Sequence, residues 1–275
     1  MKIRKSFLIL VLLAILSILP ALSPIDRSGE LQTIVIMGDS RTNIEMYRAI
    51  TEQVVLHHPK AVFHTGDMVS NGLKQDQWAE FHDATKKIRD IASFYPACGN
   101  HEMGVEPFLK QFPELGKVSW YSVNQAGLHW IILNSQQSLK QGSKQYKWLD
   151  KDLKSNKTAF NVIIMHHPIY SSGGHAHELD SKDLRGLIEK YRVRLVFSGH
   201  DHLYERSFHE GTNYIVTGGA GAPLKGKVYE NPYSQFFSST YHYCVLYNYP
   251  TQIDIDVYDI DKNKIDSISI EKKER

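Results

Sequence analysis

The chain has 275 residues, 42% of them hydrophobic and 23% charged, a length and mixture that suit one large α/β domain better than two half-sized ones. Its formal charge of +2 is too small to imply a nucleic-acid partner, and no basic block interleaved with aromatics lies outside the termini. Charge therefore points to no nucleic-acid surface and says little about a small substrate.

At the start of the chain, Lys2, Arg4 and Lys5 precede an apolar run over 7–19 that only Ser17 interrupts. This is the pattern of an export signal, and the run is shorter than the ~20 residues of a comfortable membrane span. Ala21, Leu22 and Ser23 offer a cleavage site, but Pro24 would follow the cut. Residues 1–23 are thus read as a signal peptide or an N-terminal membrane anchor. The protein is expected to be exported: periplasmic, extracellular, or held at the outer face of the membrane.

From Leu31 onward, apolar strand-like runs alternate with helical patterns, the signature of a layered α/β fold. The run TIVIM over 33–37 reads as a buried strand, and Ile44, Tyr47, Ile50, Val54 and Val55 then recur at helical spacing. A second strand is expected over 61–64 and a second helix from Trp78, Phe81, Ile88 and Ile91. A third strand, 94–97, leads into GNHE. Segments 118–123 and 129–133 pair around a turn at 125–127, and 144–153 reads as a helix. Strand 162–165, a helix striped by Leu184, Leu187, Ile188 and Tyr191, and strand 195–197 follow. The remainder is β-rich: 214–216, 243–247, 253–258 and, after a turn at 261–264, 265–270. Two packed sheets flanked by helices is the expected architecture.

Polar motifs sit where these strands end: GDSR at 38–41, GD at 66–67, GNHE at 99–102, HHP at 166–168 and GHDH at 199–202. Ligand sites in open α/β sheets collect at the carboxyl ends of strands, so one sheet edge can present Asp39, Asp67, Asn100, His166 and His200 together. A lone GD is a common turn dipeptide; an ordered series of such strand ends is not explained by turn chemistry. Carboxylate, imidazole and carboxamide donors suit Zn²⁺, Mn²⁺ or Fe. Cys98 and Cys244 are the only cysteines. They allow one bridge or none, and Cys98 also reads as a small residue packed behind the site.

These motifs, above all GNHE and GHDHLYER, resemble the calcineurin-like metallophosphoesterase superfamily, and within it the purple acid phosphatase-like branch. The resemblance runs from Thr33 to about Arg206. It implies a four-layer αββα sandwich of two mixed β-sheets flanked by helices, in a phosphoesterase domain over 31–272. It also implies two divalent metal ions (Mn, Zn or Fe), with Asp67 bridging, Asp39 and His202 on the first, and Asn100, His166 and His200 on the second. Such a pair clamps a phosphoryl group and activates a bridging hydroxide for in-line attack. By the same resemblance, His101 is the catalytic general acid that protonates the leaving oxygen.

Two positions depart from the family pattern. Arg41 stands where many members carry a histidine ligand; a guanidinium cannot ligate a cation but can clamp phosphate, which leaves the first ion short of a ligand and more labile. Ser70 replaces both the tyrosine of GDxxY and the aspartate of GDxxDRG. No purple chromophore is therefore expected, and the usual side-chain partner that orients His101 is missing. In the SSGGHAH loop over 171–177, His175 is the first choice and His177 the second for contacting substrate. The expected activity is hydrolysis of small phosphomonoesters, in the manner of an acid phosphatase. The alternatives are a phosphodiesterase acting on nucleotides or on lipid or wall diesters, and a metal-stabilised binding or scaffold protein.

Overall fold

A computed structural model of the chain describes residues 31–156, 160–176 and 178–272. The segment read as a signal or anchor, and His177, lie outside the described residues. The elements in chain order are β1 (Gln32–Met37), α1 (Ile44–Leu56), β2 (Ala61–His64), α2 (Gln75–Arg89), β3 (Ser93–Pro96), α3 (Val105–Gln111), β4 (Tyr121–Gln125), β5 (Leu128–Ile132), α4 (Lys144–Ser155), β6 (Asn161–Ile164), α5 (Lys182–Lys190), β7 (Leu195–Ser198), β8 (Tyr204–His209), β9 (Thr212–Thr217), β10 (Ser234–Ser238), β11 (His242–Asn248), β12 (Gln252–Asp259) and β13 (Lys264–Glu271).

Strand alternation builds the layers. In β1, Ile34 and Ile36 point into the space between two sheets, while Val35 and Met37 face α1 and α2. In the second sheet, Trp130, Ile132, Val162, Ile164, Leu195 and Phe197 face the first sheet, and Ile131, Ile163 and Val196 face the residues of α4 and α5. Because side chains alternate with period 2, each strand serves two cores at once. The rings of Phe63 and Trp130 stack across the inter-sheet space with centroids 4.0 Å apart. The result is the expected αββα sandwich of two mixed sheets.

The first sheet has the order β13-β12-β11-β1-β2-β3 and the second β10-β8-β9-β7-β6-β5-β4. Strands β1, β2 and β3 run parallel, as do β5, β6, β7 and β9. The carboxyl ends of each parallel set therefore lie along a common edge. Helix α1 starts where the Asn43 side chain accepts the Met46 N–H, and α4 where Ser143 accepts from Tyr146; each satisfies a donor the first helical turn leaves free. No helix among the described residues is long and apolar enough to cross a membrane.

Some expected elements shift. Ile91 lies beyond the end of α2 and is 49% exposed, so it is no part of that helix's buried stripe. The strand expected from Val118 begins only at Tyr121. Three elements were not anticipated: α3, β8 and β10. Cys98 and Cys244 are both free and buried. Cys98 packs in the outer core of the first sheet, behind GNHE, and burial raises its thiol far above the usual range.

One buried histidine lies in the core and contacts none of the presumed metal ligands. The His242 Nδ1–H donates to the Thr240 carbonyl and its Nε2 accepts from the Thr217 hydroxyl. Burial lowers its pKa from 6.5 to about 4, against the pull of the Thr240 carbonyl. The unfolded chain therefore takes up the proton first, and stability falls as pH drops from about 6.5 toward 4, by roughly 3 kcal/mol from this group. Denaturant unfolding at pH 7.5 and 4.5 should show a pH dependence smaller by about that amount in His242→Gln; an unchanged slope would reject the assignment.

Candidate metal centre

The parallel strands deliver the expected donors to one place. Asp39 follows β1, Asp67 follows β2, and Asn100 opens a 3₁₀ turn just beyond β3. His166 follows β6, while His200 and His202 follow β7. Asp39, Asp67 and His200 all adopt left-handed backbone conformations, with φ of 58°, 55° and 70°. Such conformations are costly in non-glycine residues and concentrate at functional sites. The turns also need glycine: a Cβ on Gly199 would stand 2.2 Å from the Asp39 carboxylate, and one on Gly99 would stand 2.4 Å from Asp67 N and Oδ1.

Hydrogen bonds fix which atoms face the centre. The His166 Nδ1–H donates to the Thr65 carbonyl at 3.0 Å, leaving Nε2 as a bare acceptor. That Nε2 lies 2.9 Å from Asn100 Oδ1, 3.0 Å from His200 Nδ1 and 3.4 Å from Asp67 Oδ1. The His200 Nε2–H donates to Glu178 at 2.8 Å, so its Nδ1 is also a bare lone pair. His202 Nδ1–H donates to the Pro223 carbonyl at 2.8 Å, and its Nε2 lies 3.7 Å from Asp39 Oδ1. Several lone pairs thus converge, and buried Asp39 Oδ1 has no hydrogen-bond partner at all. Buried acceptors rarely lack a donor; a cation satisfies all of them.

The electrostatics agree. Burial, followed by the neighbouring Asp67 charge, raises the Asp39 carboxyl well above the carboxylate range. Burial, then His166 and His167, lowers His200 to about 3, and burial lowers His202 to about 4. His166 is likewise held neutral, by burial first and then by His167. Neutral imidazoles are the form that binds metal. The donor atoms form two groups, Asp67 with His166 and His200, and Asp39 with Asp67 and His202, each spanning no more than 4.8 Å. Asp67 belongs to both. This donor set fits a dinuclear divalent metal centre.

His101 sits beside it. Its N–H donates to Asp67 Oδ1 at 2.9 Å, its Nδ1–H donates to the Ser70 carbonyl at 2.8 Å, and its Nε2 lies 3.9 Å from Asp67 Oδ2. The orienting partner thought lost with the aspartate is therefore supplied by the main chain of the very residue that replaced it. The Arg41 guanidinium reaches Asp67 Oδ2 at 3.2 Å and His202 Nε2 at 3.3 Å. His175 is partly exposed; its ring lies 4.4 Å from that of His200 and donates to Glu178. His167 is held by Ser135. Tyr204 is buried in the inter-sheet core and donates to Asp266, so it lies under the metal loop and not at its border. The 218–223 loop packs on the GDSR turn through Ala220 N–H to the Gly38 carbonyl and Ala222 N–H to the Asp39 carbonyl.

Sequence reading gave no role to three buried acids that hold the frame. Glu102 accepts from the N–H groups of Asp67, Met68 and Gly99. Burial, with the Asp67 charge added, raises its carboxyl above the usual range. Asp201 accepts from the Ser171 hydroxyl and the His175 N–H, and Glu205 from the Ser172 N–H and hydroxyl. Together they fasten the 171–175 loop to the GHDHLYER segment. The available signal was that Glu102, Asp201 and Glu205 are acids inside otherwise assigned motifs. Glu178, outside any motif, carried none.

A family model described as calcineurin-like phosphoesterase matches residues 32–204. The chain belongs to this family, and the curated relatives it is similar to include purple acid phosphatases. It is 29% identical over 228 residues to a phosphoenolpyruvate phosphatase of Allium cepa, covering 71% of this chain and 46% of that one. It is 33% identical to the Fe(3+)-Zn(2+) purple acid phosphatase 12 of Arabidopsis thaliana, over 48% of this chain and 32% of the relative. The chain thus spans under half the length of these curated relatives. Among solved structures, purple acid phosphatase PPD1 of yellow lupin shares the fold with a TM-score of 0.78 at 20% identity, over 88% of this chain and 54% of that one. GAP50, described as the anchor in the inner membrane complex of Plasmodium, does so with a TM-score of 0.73 at 18% identity, over 89% and 90%.

Proposed function

We propose that the protein is an exported, metal-dependent phosphoesterase that hydrolyses small phosphomonoesters. The observation that carries this reading is the pair of donor groups sharing buried Asp67, with the His101 ring beside them. In this reading Asp67 holds both ions, Asp39 and His202 the first, and Asn100, His166 and His200 the second. Bound there, the ions supply Lewis acidity toward phosphoryl oxygens and lower the pKa of water.

The chain's own residues do the rest. Thr65, Pro223 and Glu178 fix the tautomers that present His166, His202 and His200, as partners of metal-bound histidines generally do. Ser70 turns the His101 Nε2 toward the centre, where it hands a proton to the leaving oxygen. Arg41 and His175 are the residues read as contacting the phosphate. Two relatives named as phosphatases of phosphoenolpyruvate and of the purple acid type support the monoester class, and the 1–23 segment supports export.

Metal analysis of the purified chain, paired with turnover of mono- and bis-aryl phosphates, tests the reading. At least one ion per chain as purified, rising to about two with added Mn²⁺ or Zn²⁺, and a higher kcat/KM for the monoester are expected. Less than one bound ion and no hydrolysis after Mn²⁺ or Zn²⁺ addition overturns it. A preference for the diester overturns the substrate class alone.

A further inference from the structure

Arg41 lies within reach of the first presumed metal site, in a seat that several contacts define. Its Nε donates to Asp67 Oδ2 at 3.2 Å, one terminal nitrogen donates to His202 Nε2 at 3.3 Å, and the other donates to the Thr42 hydroxyl at 3.3 Å. His202 Nε2 can only accept, because Nδ1–H is committed to Pro223. Two of the lone pairs that a first ion needs are therefore already taken by a positive charge. Asp39 Oδ1, the third donor, stays unpartnered.

The neighbouring backbone holds this arrangement. Thr42 has φ of 78°, an outlier for a β-branched residue, and its hydroxyl is 3.3 Å from that of Ser70. Beside the guanidinium lies a cavity of about 130 Å³ whose walls include Arg41, Ser70, Gln77 and Glu80. Ser70 is small, which leaves space there. The Glu80 carboxylate gives that space a partner for a displaced guanidinium.

We propose that the Arg41 guanidinium is a resident cation at the first metal site, competing with the metal for Asp67 and His202. The inference rests on the metal-centre reading above. The second site then fills first and tightly, and the first fills only as Arg41 leaves. Displacement gives up two charge-assisted contacts and brings the ion close to a like charge, which weakens the first site about 10- to 100-fold relative to one without the arginine. Loading of the first ion and release of Arg41 from Asp67 and His202 are one event.

Calorimetric titration of the metal-stripped protein with Mn²⁺ decides this without any turnover. The native chain should bind one ion tightly and a second at least about 10-fold more weakly. Arg41→Met should tighten the weak step about 10- to 100-fold and leave the tight step nearly unchanged. Arg41→His, which restores a ligand, should tighten it further, and Arg41→Lys should keep it weak. The paramagnetic resonance signal of a spin-coupled Mn²⁺ pair should form at two equivalents in Arg41→Met but need excess metal in the native chain. Two equal steps in the native chain, unaltered in Arg41→Met, overturn the proposal while leaving the metal centre intact. Absence of any binding in every variant overturns the metal-centre reading and this inference with it.

Discussion

Replacing His101 by alanine is expected to lower kcat about 10²–10⁴-fold while the metal content stays unchanged. The side chain is 31% exposed, and its Nε2 lies 3.9 Å from Asp67 Oδ2, beyond hydrogen-bond distance. Its Nδ1–H is spent on the Ser70 carbonyl, so Nε2 is the only ring atom able to reach a leaving oxygen. The main-chain N–H, which donates to Asp67 Oδ1, survives the substitution. The deficit should depend on the leaving group, small for a nitrophenolate that departs without a proton and large for an alkoxide. A uniform loss across leaving groups would instead implicate binding, and full activity would remove His101 from the chemistry.

Glu102→Ala is expected to remove most of the stability of the domain. The carboxylate accepts from Gly99 N–H at 2.6 Å, Met68 N–H at 2.8 Å and Asp67 N–H at 3.0 Å, and is wholly buried. Each orphaned buried donor costs about 1–3 kcal/mol, so three cost a large part of the roughly 5–15 kcal/mol that holds a domain folded. Glu102→Gln keeps one oxygen but turns an amide toward other donors, and should fall between alanine and the native residue. Denaturant unfolding measures both. A loss under about 1 kcal/mol for alanine would mean that water enters and replaces the carboxylate.

The sheets were legible because strands such as β1, β5 and β6 bury both faces and read as unbroken apolar runs. β8 was not, because two of its three buried positions, Glu205 and Ser207, are polar while Phe208 is exposed: Glu205 accepts from Ser172, and the half-buried Arg206 pairs with Asp266. Such residues are admitted to a core only by partners distant in sequence, which a local pattern cannot reveal. α3 escaped because seven residues containing Pro107 give hardly two helical turns. The presumed metal donors could be proposed because each follows an apolar strand in a motif, and the fold brings them together. The position of Arg41 was not, because a residue type does not say whether a guanidinium faces solvent or the carboxylates behind it. Nor could composition foretell that a main-chain oxygen would orient His101.

Of the six presumed donors, Asp39, Asp67 and Asn100 hang from the first sheet, and His166, His200 and His202 from the second. Two metal ions held among them would cross-link the two halves of the sandwich, gathering positions from 39 to 202 into one knot. The free energy of ion binding is then also free energy of folding. The affinity of the cofactor and the fixed spacing of the two sheets at their carboxyl edge become one quantity, while Phe63 against Trp130 secures the sandwich deeper in.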